Sequence, residues 1–141
     1  MPLLPANFLK CISAEDRKKL GKAGWTPEEA LAKATVKNER DLQGKIVNLL
    51  RLKGIEPLWH RTDKRSHATV GWPDITFSTF HRGNGWDDFC PSAWEVKLDG
   101  ELSTEQQQML IRLQTPPNGW RVRIIRSVDE ALDQLRQIGI R

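Results

Sequence analysis

Two carboxylates and an amine stand on two short apolar runs. The first run is Gly71-Trp72-Pro73-Asp74-Ile75-Thr76-Phe77, and the second is Trp94-Glu95-Val96-Lys97-Leu98. Strand alternation sends Ile75 and Phe77 to one face, and Asp74 with Thr76 to the other. In the second run it separates Trp94, Val96 and Leu98 from Glu95 and Lys97. If the two runs pair, Asp74, Glu95 and Lys97 meet at one spot above an apolar layer. Carboxylate oxygens are hard donors of the kind a magnesium-like cation prefers. A cation held there, with an ammonium beside it, is the equipment for hydrolysing a phosphodiester.

Other elements must position these groups. Asn38 can cap a helix whose apolar positions are Leu42, Ile46, Leu49 and Leu50, a 3–4 spacing. Glu39 and Gln43 fall on the edge of that stripe. A carboxylate on the core side of a helix is costly unless something pairs with it. At a first turn it is also simply stabilised by the helix dipole. Gly54 ends this helix, and Leu58-Trp59-His60-Arg61 reads as a strand. Behind the site, Ser103-Thr104-Glu105-Gln106 opens a second helix with a capping-box pattern and a stripe of Leu102, Met109, Leu110 and Leu113. Gln106 lies inside that stripe, so it either closes the capping box or points at Glu95 and Lys97, and the two roles are compatible. A strand over Trp120–Arg126 and a helix opened by Ser127-Val128-Asp129-Glu130 complete the chain.

Residues 61–70 carry Arg61, Lys64, Arg65 and His67 and lead directly into Gly71. This loop is either a solvated basic segment or a phosphate contact beside the site. The Gly83-Asn84-Gly85 cluster and Pro91 read residues 78–92 as one long turn. Asp87 and Asp88 in it read as solvent-facing. The order of elements from residue 38 is helix, three strands, helix, strand, helix. That order predicts an α/β fold in which the first three strands form an antiparallel meander and the fourth lies parallel to the strand of Glu95.

The 141 residues are enough for one domain with its own core. With 38% hydrophobic and 28% charged residues and a formal charge of +4, the chain reads as a soluble, mildly basic protein. A basic excess is compatible with a polyanionic partner without requiring one. Cys11 and Cys90 form neither a disulfide framework nor a zinc pattern, and no run has the ~20 apolar residues of a membrane span. The expected setting is therefore intracellular: cytoplasmic or nucleoid-associated, or the host cytoplasm for a phage-encoded chain. Residues 1–36 read as a helical N-terminal extension with strong start signals at Ser13 and at Thr26-Pro27-Glu28-Glu29. Lys10, Arg17, Lys18, Lys19, Lys22 and Lys33 in it are either a solvated face or a DNA-contacting or dimerising arm.

Pro73-Asp74 followed by Glu95-Val96-Lys97 resembles the PD-(D/E)XK arrangement of the restriction-endonuclease-like fold. Glu39-x-x-x-Gln43, Gly71-x-Pro73-Asp74, Glu95-x-Lys97, Gly100-x-Leu102-Ser103-x-x-Gln106 and Val122-x-Ile124-Ile125-Arg126-Ser127-x-Asp129-Glu130 together resemble the VRR-NUC nucleases. The resemblance covers residues 38 to about 135. It implies a nuclease domain over residues 37–141, with a restriction-endonuclease-like core: a mixed four-stranded sheet flanked by helices. It implies Mg²⁺ or Mn²⁺ held by Asp74, Glu95, the Val96 carbonyl and Glu39. Lys97 would act on the attacking water or the phosphate charge, and Gln106 would stand behind the site as the fifth catalytic position. The resemblance places His60 and Arg61 near the scissile strand; Lys64, Arg65 and His67 are nucleic-acid candidates from the basic loop itself.

The function that follows is metal-dependent endonucleolytic hydrolysis of DNA. Small stand-alone members of the family are associated with branched DNA such as four-way junctions. A homodimer would suit such a symmetric substrate. The alternative is a nuclease-like module that binds nucleic acid or protein without cutting. A complete set of Glu39, Asp74, Glu95 and Lys97 discriminates against it.

Overall fold

The computed structural model describes residues 13–15, 26–59, 70–82 and 87–140. Among them are four helices and four strands in an α/β arrangement: α1 Pro27–Lys33, α2 Glu39–Leu52, β1 Leu58–Trp59, β2 Ile75–Arg82, β3 Asp87–Val96, α3 Thr104–Gln114, β4 Arg121–Ile125 and α4 Val128–Gln137. No helix among the described residues is long and apolar enough to cross a membrane. The chain divides into two compact units. One comprises residues 1–54 and 127–141, and the other residues 55–126.

The first unit is built from α1, α2 and α4, which contact one another pairwise. Each begins where its capping residue allows. Thr26 and Glu29 exchange side chain-to-backbone hydrogen bonds in a capping box at α1. Asn38 accepts from the Asp41 N–H at α2, and Ser127 from the Glu130 N–H at α4. These bonds occupy donors that no helical carbonyl can reach. Gly54, at φ +78°, follows the last turn of α2. The buried positions of α2 are broader than a 3–4 stripe: Gln43 and Lys45 are buried together with Leu42, Ile46, Val47, Leu49 and Leu50. Lys45 is compensated by Asp41 one turn earlier, at 2.7 Å.

Glu28 of α1 meets Lys53, just past the end of α2, at 3.0 Å. The Lys53 ammonium holds the Glu28 carboxyl below the usual carboxylate range, against an opposing effect of partial burial. A depressed folded-state pKa contributes stability above the unfolded-state value, and that stability is lost as pH falls through the folded one. Glu28→Gln should therefore destabilise by about 0.5–1 kcal/mol near neutral pH. The difference from wild type should begin to shrink below about pH 4, where unfolded-state glutamates become protonated, and close once pH falls below the depressed folded-state value. Denaturant titrations at the two pH values read this directly. An equal loss at both would rule out the ion pair as its cause.

The second unit is the sheet with α3. Strand order is β1-β2-β3-β4; β1–β2 and β2–β3 are antiparallel and β3–β4 is parallel. The sheet is thus mixed, with the meander and the parallel fourth strand that the order of elements requires. Ile75, Phe77, Trp94 and Val96 are buried, and the Phe77 and Trp94 rings meet edge-on at 4.9 Å. On the opposite face α3 contributes Leu110 and Leu113 to a cluster with Ala93 and Val122. Trp72, Leu102, Met109 and Trp120 flank it, with Trp72 and Trp120 edge-on at 6.0 Å.

Residues 78–92 are not one long turn. β2 continues to Arg82 and β3 begins at Asp87, so only 83–86 separate the strands. Thr79, Phe80 and Phe89 are strand formers, and Ser78, Thr79 and Phe80 pair with Pro91, Cys90 and Phe89 across the hairpin. The Phe80 and Phe89 rings form a cross-strand contact at 5.0 Å. Pro91 is tolerated within β3 for a directional reason. Lys97 donates its N–H to Ile125 beside β4, so by alternation the Pro91 nitrogen faces the β4 side, one residue before the first β3–β4 pair at Ser92. The N–H that proline lacks would have had no ladder partner there. Conversely, the second run ends as strand at Val96, so Lys97 and Leu98 lie just past β3.

Candidate metal and phosphate site

The site lies where β2 begins and β3 ends. Pro73 precedes the strand, and the last β2–β3 pair is Ile75 with Trp94. The next inward-facing donor of β3, the Val96 N–H, is taken by Asp74 Oδ2 at 2.9 Å. A side-chain carboxylate thus continues the ladder where the backbone stops, and this fixes Asp74 beside Glu95. The N–H and C=O of an extended residue leave the strand on the same side. The Val96 carbonyl therefore points toward the side from which Asp74 reaches.

Glu95 is 1% exposed. A carboxylate at that depth needs compensation. Gln106 supplies part of it, donating from Nε2 to Glu95 Oε1 at 2.6 Å. The orientation of the Gln106 amide is set by α3 itself. Its Oε1 accepts from the Ser103 N–H at 2.9 Å, and Ser103 Oγ accepts from the Gln106 N–H at 3.2 Å. With the oxygen committed to the capping box, the amide nitrogen is left to face Glu95. Both roles that the sequence allows for Gln106 are realised in one side chain.

Lys97 follows Glu95 by two residues and is half-buried, its N–H tied to Ile125 at 3.0 Å. Among the described residues its ammonium makes no hydrogen bond or ion pair. The turn after it is held by Arg126, which donates to the Gly100 carbonyl at 3.0 Å.

The positions expected at the site divide as follows. Asp74, Glu95, Val96 and Gln106 are joined by the hydrogen bonds above, and Lys97 adjoins them along the chain. Glu39 belongs to the other unit; it is the first residue of α2, half-buried, where the helix dipole favours a carboxylate. His60, Arg61, Lys64, Arg65 and His67 lie outside the described residues. Among the described residues no three His, Cys, Asp or Glu side chains form a metal-holding group. Two carboxylates and a backbone carbonyl nonetheless suit Mg²⁺, which takes few protein ligands and keeps several waters. Sequence reading missed two features: the Val96 N–H as the anchor of Asp74, and the tight seat of Gly71 on α3. The chain matches no family model, no curated protein and no solved structure.

Proposed function

We propose that the chain is a metal-dependent endonuclease with a restriction-endonuclease-like core of the VRR-NUC kind, hydrolysing phosphodiester bonds of DNA. The observation that carries this reading is the junction of β2 and β3. There Asp74 is pinned to the Val96 N–H, Glu95 is pinned to Gln106, and Lys97 follows on the same strand end. The hairpin followed by a helix and a parallel strand supports the same reading of the core.

In this reading Asp74, Glu95 and the Val96 carbonyl hold Mg²⁺ or Mn²⁺. Such an ion supplies Lewis acidity toward the scissile phosphate and activates water. The protein supplies the rest. Gln106 keeps one Glu95 oxygen engaged and so limits the carboxylate to one orientation. The Val96 N–H does the same for Asp74. Lys97 places a positive charge where negative charge gathers on the phosphoryl oxygens as water adds to phosphorus and the bond to the leaving oxygen breaks. The preferred substrate is branched DNA, and two copies of the chain would serve the two strands of a symmetric junction.

The test uses labelled linear duplex, flap and four-way junction DNA, each with Mg²⁺, Mn²⁺ or EDTA. The expected result is cleavage with either metal and none with EDTA, with the junction cut fastest. Tight binding of all three without any cut, metal present, would transfer the site to a non-cleaving module.

A further inference from the structure

Gly71 touches α3 more closely than any other residue type could. It sits at φ +83°. A Cβ placed on it would lie 2.5 Å from the Glu105 carbonyl oxygen, 2.7 Å from the Glu105 carbonyl carbon and 3.1 Å from the Gln106 nitrogen. All three are backbone atoms of the first turn of α3, so no side chain can swing away to make room. The loop that delivers Asp74 and the helix turn that delivers Gln106 are therefore in direct backbone contact. Asp74 lies three residues beyond Gly71, and Gln106 is bonded directly to Glu105.

We propose that Gly71 is a positioning residue that sets Asp74 and the Gln106–Glu95 pair relative to each other. The chain of contacts is continuous. Gly71 abuts the Glu105–Gln106 peptide, Gln106 Nε2 holds Glu95, and Asp74 holds the Val96 N–H next to Glu95. A methyl group at position 71 must separate loop from helix, and the separation falls on the two carboxylates together. This inference rests on the nuclease reading only for its kinetic arm; the contact itself is a property of the fold.

Gly54 provides the matched control. Its φ is +78°, yet a Cβ there meets nothing within 4 Å. Gly54→Ala therefore imposes left-handed strain without a collision, whereas Gly71→Ala imposes both. With Mn²⁺ and the best DNA substrate, Gly71→Ala should lower kcat by about 10–100-fold, the range for residues that orient a metal ligand, while KM stays within about threefold. Gly54→Ala should keep the wild-type kcat. The second readout is NMR of metal-free protein. The Gln106 side-chain amide signals should move in Gly71→Ala and stay in place in Gly54→Ala. Wild-type protein should also show an NOE from a Gly71 Hα to the Gln106 backbone N–H, a measurement that needs no variant to fold. Absence of that NOE, or a Gly71→Ala variant matching Gly54→Ala in both amide signals and kcat, overturns the proposal. If wild type cuts no DNA, the nuclease reading fails, and the amide signals and the NOE still decide the role of Gly71.

Discussion

Asp74→Asn is expected to lower metal-dependent cleavage by on the order of 10³-fold and to leave the metal-free protein close to wild type in stability. The two halves of this result follow from different features of one side chain. Structurally, Asp74 accepts from the Val96 N–H at 2.9 Å. The Oδ1 of asparagine can serve as that acceptor in nearly the same volume. Electrostatically, the substitution removes a negative charge from beside the buried Glu95, and like charges held close are destabilising. Loss of one carboxylate from a two-carboxylate donor set removes most of the attraction for a hard divalent ion.

The metal supplies a third readout. A ligand that binds only the folded state adds about 2.7 kcal/mol at a hundredfold excess over its Kd, a shift of several degrees in Tm for a domain of this size. Wild type should show that shift with Mn²⁺, and Asp74→Asn should show little or none. A carboxylate whose role was only to cap the ladder would leave activity and the metal shift intact, because asparagine can accept the same N–H. Wild-type cleavage by Asp74→Asn would remove Asp74 from the chemistry altogether.

How far the site is legible in the sequence depends on which physical signal carries each residue. Strand alternation places Asp74 and Glu95 on one face, and the register of Ile75 with Trp94 realises that pairing. Helical phase places Gln106 inside an apolar stripe, which raises the question of a partner without naming one. The answer, a 2.6 Å bond to Glu95, depends on the capping box having first claimed the amide oxygen. Phase also places Gln43 toward the buried side of α2; it is buried, with Nε2 making no hydrogen bond among the described residues. Composition misleads at residues 78–92. Glycine and proline are read as turn formers there, but tertiary pairing keeps Thr79, Phe80, Phe89 and Cys90 extended, and Pro91 sits where its missing donor has no ladder partner. The seat of Gly71 is invisible to periodicity because it is set by a backbone approach between segments more than thirty positions apart in sequence. Only the presence of a glycine just before Pro73-Asp74 hints at it.

Lys97→Met is expected to separate catalysis from metal binding, which Asp74→Asn cannot do. Methionine preserves most of the apolar stem and removes only the ammonium. Among the described residues that ammonium makes no ion pair or hydrogen bond, so its removal breaks no described contact. Stability should therefore change by no more than about 0.5 kcal/mol. The Mn²⁺-induced rise in Tm should persist or grow, because a positive charge near a cation site opposes cation binding. Cleavage should nevertheless fall by roughly 10²–10³-fold, the size of effect seen when one preorganised group that stabilises transition-state charge is lost. The loss should appear in kcat rather than KM, since the charge Lys97 offsets develops on the phosphate during the reaction. Lys97→Arg should recover only part of it, because a planar guanidinium does not reproduce a compact point charge. A loss confined to KM would assign Lys97 to ground-state DNA binding. Undiminished cleavage would leave Asp74 and Glu95 as a metal site whose chemistry proceeds without the lysine.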